Sequence, residues 1–150
     1  MANYKTKKRF GQHFLNDRSI IEKMIHAIHP LQSEKFVEIG PGLGALTFPL
    51  LEKLDTLDVV EIDRDVIARL QQRKEREKID QLTIHECDAL KMNFEALSNN
   101  DDKELRVVGN LPYNISTPLI FHLLESAPAI KDMHFMLQNE VVQRITAEPK

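Results

Sequence analysis

Five short apolar runs recur along the chain, each followed by a stretch with helical spacing. This alternation constrains the fold more than any other feature of the sequence. The runs are Lys35-Phe-Val-Glu-Ile39, Leu57-Asp-Val-Val-Glu-Ile62, Leu82-Thr-Ile-His-Glu86, Leu105-Arg-Val-Val-Gly109 and Met133-His-Phe-Met-Leu137. Their length and their Val/Ile content predict buried strands. Ile20, Ile21, Met24, Ile25 and Ile28 predict a preceding helix, capped by Asn16 or Asp17 and closed before Pro30. Further helices are expected over Leu46–Leu54, with Pro49 in the first turn, and over Val66–Arg76, Pro118–Glu125 and Glu140–Thr146. A weaker one is expected near Asn93–Leu97, followed by a loop over Ser98–Glu104, which has turn composition. The charge run Arg73–Lys78 reads as a solvated helix end.

Strands alternating with helices imply right-handed crossovers, and hence an α/β fold: a doubly wound, mainly parallel sheet with helices on both faces. The 150 residues contain no internal repeat and no low-complexity linker, so 1–150 reads as one domain. With 42% hydrophobic and 29% charged residues the chain belongs among globular proteins. A single cysteine excludes an internal disulfide framework, and no apolar run is long enough to span a bilayer. The net charge of −3 is unevenly spread. Residues 1–18 hold Lys5, Lys7, Lys8, Arg9 and Arg18 against Asp17 alone, a net +4 that leaves −7 on the remainder. A basic arm of this kind serves either as a nucleic-acid contact or as a solvated tail.

In open α/β sheets ligands bind outside the carboxyl ends of the strands. The residues to watch are therefore Gly40–Gly44, Glu61–Asp63, Cys87–Asp88 and Asn110–Tyr113. Gly40-Pro-Gly-Leu-Gly44 follows the first strand, where glycine lets backbone approach a ligand and where amides at the next helix start hold a negative group. Its spacing is G-x-G-x-G, not that of the dinucleotide fingerprint. Glu61, ending the second strand, sits where a carboxylate accepts from both ribose hydroxyls; the alternative is a surface pair with Arg64. A nicotinamide or an adenosyl-methionine cofactor satisfies both features. Asp88 is suited either to an adenine amine or to capping a helix, and Cys87 beside it is assigned no chemistry. In Asn110-Leu-Pro-Tyr113 the proline removes a donor and leaves carbonyl acceptors. An asparagine oxygen, such a carbonyl and the face of Tyr113 match the exocyclic amine of an unstacked base. The histidines form no ligand set, and no metal site is expected.

Taken together, Gly11-Gln-His-Phe-Leu-Asn16, Glu38-Ile-Gly-Pro-Gly-Leu-Gly44, Glu61-Ile-Asp63, Asp88, Asn110-Leu-Pro-Tyr-Asn-Ile-Ser-Thr-Pro118 and Phe135-Met-Leu-Gln138 closely resemble the small-subunit ribosomal RNA adenine dimethyltransferases. The resemblance implies a Rossmann-like class I methyltransferase fold using S-adenosyl-methionine. It implies a cytoplasmic enzyme that dimethylates N6 of two adjacent adenines in a hairpin near the 3′ end of small-subunit ribosomal RNA, within a ribosomal particle, with no metal. By family position His13, Leu15, Gly40, Gly42, Glu61, Asp88 and Asn110 would line the cofactor site, while Asn110, Leu111, Pro112 and Tyr113 would hold the target adenine. His13 stands where many relatives have asparagine. Macrolide-resistance methyltransferases of large-subunit RNA, and non-catalytic assembly or transcription factors of the same fold, share parts of the pattern. Family members continue beyond this point with further strands and a helical C-terminal domain, so this chain is expected to be truncated and, by itself, to bind cofactor poorly and to have little activity.

Overall fold

The computed structural model describes residues 18–137, and in it five parallel strands form one sheet of order β3-β2-β1-β4-β5. The strands are β1 (Lys35–Ile39), β2 (Leu57–Glu61), β3 (Leu82–Glu86), β4 (Leu105–Leu111) and β5 (Ile130–Leu137). The helices are α1 (Arg18–Ile28), α2 (Thr47–Leu51), α3 (Arg64–Arg76), α4 (Phe94–Asp101) and α5 (Tyr113–Leu124). The doubly wound α/β expectation holds.

Central β1 is buried at every position, as a strand covered on both faces must be. Its even-numbered Phe36 packs with α1, α2 and α3, through Ile21, Ile28, Phe48, Leu50, Val66 and Leu70. Its odd-numbered Val37 and Ile39 pack with α4 and α5, through Phe94, Leu97, Leu119 and Leu123. Period-two alternation thus sorts the side chains between two cores. Buried Lys35 is neutralised by Asp58 at 3.0 Å and by Asp101 of α4. At the same end of the sheet Arg106 donates to Asp132 (2.9 Å), Glu34 (2.8 Å) and the Ile28 and His29 carbonyls (2.5 and 3.2 Å). These bonds tie β4 and β5 to the end of α1.

Several boundaries differ from expectation, each for a physical reason. The helix expected at Asn93–Leu97 continues to Asp101, through residues whose composition predicted a loop. Asn93 caps it by accepting from the Ala96 amide at 3.0 Å, Ser98 is buried with its hydroxyl on the Lys103 carbonyl, and Asp102 ends it at φ +52°. Helix α5 begins at Tyr113 rather than Pro118, which lies inside it. Pro112 occupies the N-cap position with extended dihedrals, so the earlier proline starts the helix and the later one interrupts its bonding to the Asn114 carbonyl. Helix α2 stops at Leu51, with Pro49 in its first turn as expected, and α3 starts at Arg64 under an Asp63 cap. Strand β4 runs on to Leu111, placing Asn110 in the ladder rather than in a turn after it, and β5 starts at Ile130. The Arg73 side chain is not simply solvated, since its guanidinium lies 3.6 Å from the centroid of Phe48 and pairs with Glu77 at 2.8 Å. The arm at residues 1–17, with the proposed Asn16/Asp17 cap, and the helix expected over Glu140–Thr146 lie outside the described residues.

Candidate functional site

The chain winds outward from β1 to β2 and β3, then returns to the other side of β1 to begin β4. This reversal opens a crevice at the carboxyl ends of β1 and β4, the place where open α/β sheets hold ligands. Gly40 leaves β1 at φ +66°, a conformation that side chains with a Cβ rarely adopt, and its amide donates to the Val60 carbonyl of β2 at 3.0 Å. A Cβ on Gly40 would lie 3.9 Å from the Asn110 carbonyl oxygen, so the glycine turn and the asparagine motif face each other across the crevice. Gly42 and Gly44 also have positive φ, +57° and +94°. At Gly44 a Cβ would fall 2.2 Å from the Phe48 ring, which packs against the turn and also carries the Arg73 guanidinium.

The remaining strand ends line up beside this crevice. The Cys87 amide donates to the Glu61 carbonyl at 3.0 Å, which draws the β3 end against the β2 end. Glu61 does not pair with Arg64, which instead meets Glu86 at 3.3 Å. One Glu61 oxygen accepts from the Ile62 and Asp63 amides at 3.1 and 3.0 Å, so its own turn orients the carboxylate. Asp88 takes the capping role, with Oδ1 accepting from the Leu90 amide at 3.0 Å; its second oxygen is not used by that cap. Gly40, Gly42, Glu61, Asp88 and Asn110 are all half-buried, as groups reached from a rim should be. Around them Leu43, Ile62 and Leu90 expose large apolar side chains, Ile62 to 63%. Such a rim suits a flat ring, with carboxylates for its polar edges.

Leu111 is buried, and the Pro112 carbonyl accepts from the Ile115 and Ser116 amides, both at 3.2 Å. Pro112's oxygen is thus committed to starting α5. His13 and Leu15, and the side chain of Tyr113, lie outside the described residues. A cavity of about 280 Å³ between the ends of α2 and α3, lined by Phe48, Leu51, Arg73 and Ile79, contains none of the strand-end residues. Among the described residues no cluster of three or more His, Cys, Asp or Glu side chains is arranged to hold a metal ion.

Two residues without an assigned role join the site. Glu38 is 1% exposed on β1, two positions before the glycine turn, and accepts from the Thr47 hydroxyl at 2.5 Å. Burial, together with the nearby Glu61 charge, pushes its carboxyl up to about 8 against the lowering effect of Thr47. Gly109 of β4 lies so close to β1 that a Cβ would sit 2.5 Å from the Ile39 carbonyl oxygen. A charged residue inside an apolar run was the available signal for Glu38. Gly109 had no local signal, because its neighbour is some 70 residues away in sequence.

Comparison with known proteins accords with this geometry. The chain is 59% identical over 149 residues to ribosomal RNA small subunit methyltransferase A of Alcanivorax borkumensis, covering 99% of this chain and 52% of that one. It thus spans about half the length of the curated relatives it matches. Among solved structures, a dimethyladenosine transferase from Plasmodium falciparum superposes with a TM-score of 0.74 at 32% identity, over 88% of this chain and 46% of that one. The 23S rRNA methyltransferase ErmE superposes equally well, at 0.74, with 24% identity over 90% of this chain and 52% of that one, a likeness of fold alone. The model of the family described as ribosomal RNA adenine dimethylase matches residues 3–150, and on that match the chain belongs to the ribosomal RNA adenine dimethylase family.

Proposed function

We propose that this chain is the methyl-transferring part of an S-adenosyl-methionine-dependent enzyme that dimethylates N6 of two adjacent adenines near the 3′ end of small-subunit ribosomal RNA. The observation that supports the reading is the meeting of the Gly40 turn with the Asn110 backbone at the ends of β1 and β4, which would bring a donor site and an amine site side by side. The 59% identity to a small-subunit enzyme supports that RNA over its large-subunit counterpart. The cellular setting that follows is cytoplasmic, on a ribosomal small-subunit particle. No helix among the described residues is long and apolar enough to cross a membrane.

The donor fits the site by the chemistry of the groups present. Glu61 would accept from the ribose hydroxyls, the free-standing oxygen of Asp88 from the adenine amine, and Gly40 and Gly42 would allow backbone contact with the amino-acid portion. Ile62 and Leu90 would flank the ring. His13 and Leu15 of the arm complete the proposed set. When bound, S-adenosyl-methionine supplies an electrophilic methyl on a positively charged sulfur.

The residues of this chain then have to position the nucleophile. The adenine N6 lone pair is delocalised into its ring and attacks poorly. Two acceptors, the Asn110 side-chain oxygen and a backbone carbonyl, would hold both N6 hydrogens, favour a pyramidal nitrogen and aim its lone pair. Since α5 amides occupy the Pro112 oxygen, the Leu111 carbonyl is the backbone acceptor we assign. Tyr113 would stack on the base. Alignment of this kind contributes about 7–11 kcal/mol of a barrier. Excess proton leaves to solvent. The test is methyl transfer from labelled donor to small-subunit particles lacking the modification, with large-subunit RNA in parallel. We expect weak labelling, confined to the small-subunit RNA, and Asn110→Ala to abolish it while donor binding stays measurable. Undiminished transfer by Asn110→Ala, or preference for large-subunit RNA, refutes the assignment.

A further inference from the structure

Glu38 is a buried acid whose surroundings give it no reason to ionise. It lies on β1 between Val59 of β2 and Val108 of β4, and it is 1% exposed. Its hydrogen-bond partner is Thr47, from an α2 that carries no charged residue. Helices α1 and α3 pack on the same face through Ile21, Met24, Ile25, Ile28, Val66 and Leu70, all apolar. On β2 the nearest ionisable group is Glu61, a second acid. On β4 the flanking residues on that face are Asn110 and Arg106, and the Arg106 guanidinium is held by Glu34 and Asp132. No cation among the described residues lowers the Glu38 carboxyl.

The same strand end opens directly onto Gly40, where the proposed donor brings a sulfonium and an ammonium. A positive charge arriving beside a buried carboxyl favours its ionised form. Resting on the proposed function, we infer that binding of the cationic methyl donor at the glycine turn is coupled to release of the Glu38 proton to solvent. No bond other than O–H breaks: the proton leaves, and the carboxylate stays as counter-charge beneath the site. Burial and the adjacent Glu61 place the free carboxyl near pH 8, so at neutral pH it still holds its proton before binding.

The coupling is measured as protons released per donor bound, by calorimetric titration of this chain with S-adenosyl-methionine at pH 7 in buffers of different ionisation enthalpy. Glu38→Gln is the control: it keeps the neutral shape and an acceptor for Thr47, and has no proton to lose. The donor's own amine titrates alike in both proteins, so their difference isolates Glu38. We expect the native chain to release up to about one proton more than Glu38→Gln, with affinity that climbs up to about tenfold per pH unit more steeply below pH 8. An infrared band of a protonated carboxyl, present at pH 7 in the native chain and missing in Glu38→Gln, is expected independently of any ligand. Equal proton release by the two proteins that both bind, or the lack of that band, overturns the inference and leaves the proposed function standing. Failure of both proteins to bind the donor at millimolar concentration overturns the proposed function and this inference with it.

Discussion

Replacing Gly109 by alanine tests whether the β1–β4 crevice is set by backbone contact. A Cβ at this position would lie 2.5 Å from the Ile39 carbonyl oxygen and 3.4 Å from the Ile39 carbonyl carbon and nitrogen. Ordinary contact begins near 3.4 Å, so the methyl arrives about an ångström too close to the oxygen. The obstacle is the backbone of Ile39, the ladder partner of Gly109 on central, fully buried β1, and no rotamer change relieves it. Forcing a methyl into a packed core costs about 1–3 kcal/mol. Alanine returns about 0.4–1 kcal/mol by restricting the unfolded chain, so from a mid-range packing cost of about 2 kcal/mol a net loss of about 1–2 kcal/mol remains. In a domain of this size that lowers Tm by roughly 2–8 °C. Urea unfolding and scanning calorimetry read the loss directly. The same displacement moves Asn110 away from Gly40, so donor affinity should fall as well. An unchanged or raised unfolding midpoint in Gly109→Ala refutes the close-contact account.

Three other perturbations follow from side chains with clear partners. Asp63→Ala removes the acceptor for the Asp65 and Val66 amides at the start of α3 and should cost about 1 kcal/mol in urea unfolding. Arg106→Ala leaves Glu34 and the Ile28 and His29 carbonyls without their shared donor, and chemical denaturation should report a loss of about 3–5 kcal/mol. The Glu38 carboxyl, raised from 4.5 to about 8, binds a proton in the folded state that the unfolded chain has already released across that window. Folding stability should therefore fall as pH rises from about 4.5 to 8, by up to ~1.4 kcal/mol per pH unit, and Glu38→Gln should flatten that decline in melts at successive pH values. The Arg106 partners Glu34 and Asp132 and the Lys35 partner Asp101, held below the ordinary carboxylate range, act oppositely: their contribution is present above it and is lost in stronger acid.

The sheet was legible in the sequence because its signals are local. The limits of β1 and β3 follow from runs of apolar residues ended by glycine or a polar turn, and the ligand-facing positions follow from the rule that chemistry collects at strand ends. Where the structure departs from the local pattern, the deciding contacts are distant in sequence or lie in the backbone geometry. Ser98–Asp101 has loop composition, yet it is helical because Lys35 on β1 takes up Asp101 and Lys103 takes up Ser98. Pro118 looks like a helix start, and only the dihedrals of Pro112 show that the helix has already begun. Glu61 and Arg64 are three residues apart and oppositely charged, but the turn amides claim the first and Glu86 the second. Position at the strand ends suggests the acceptor roles of the Asn110–Pro112 stretch and of Asp88; that the Pro112 oxygen and one Asp88 oxygen are already taken, by a helix start and a cap, is visible only in three dimensions.

The strand order also has a kinetic side. Within the sheet β1 and β2 join residues about 20 apart, as in Val37 with Asp58, whereas β1 and β4 join Lys35 to Leu105, about 70 apart. Closing the longer loop costs about 1 kcal/mol more entropy than closing the shorter one. The strands β1, β2 and β3 can therefore zip together from near neighbours, while the seam against β4 waits for a rarer encounter. That seam is the wall shared by Gly40 and Asn110, so the two sides of the candidate site meet at the step of sheet assembly with the greatest entropic delay.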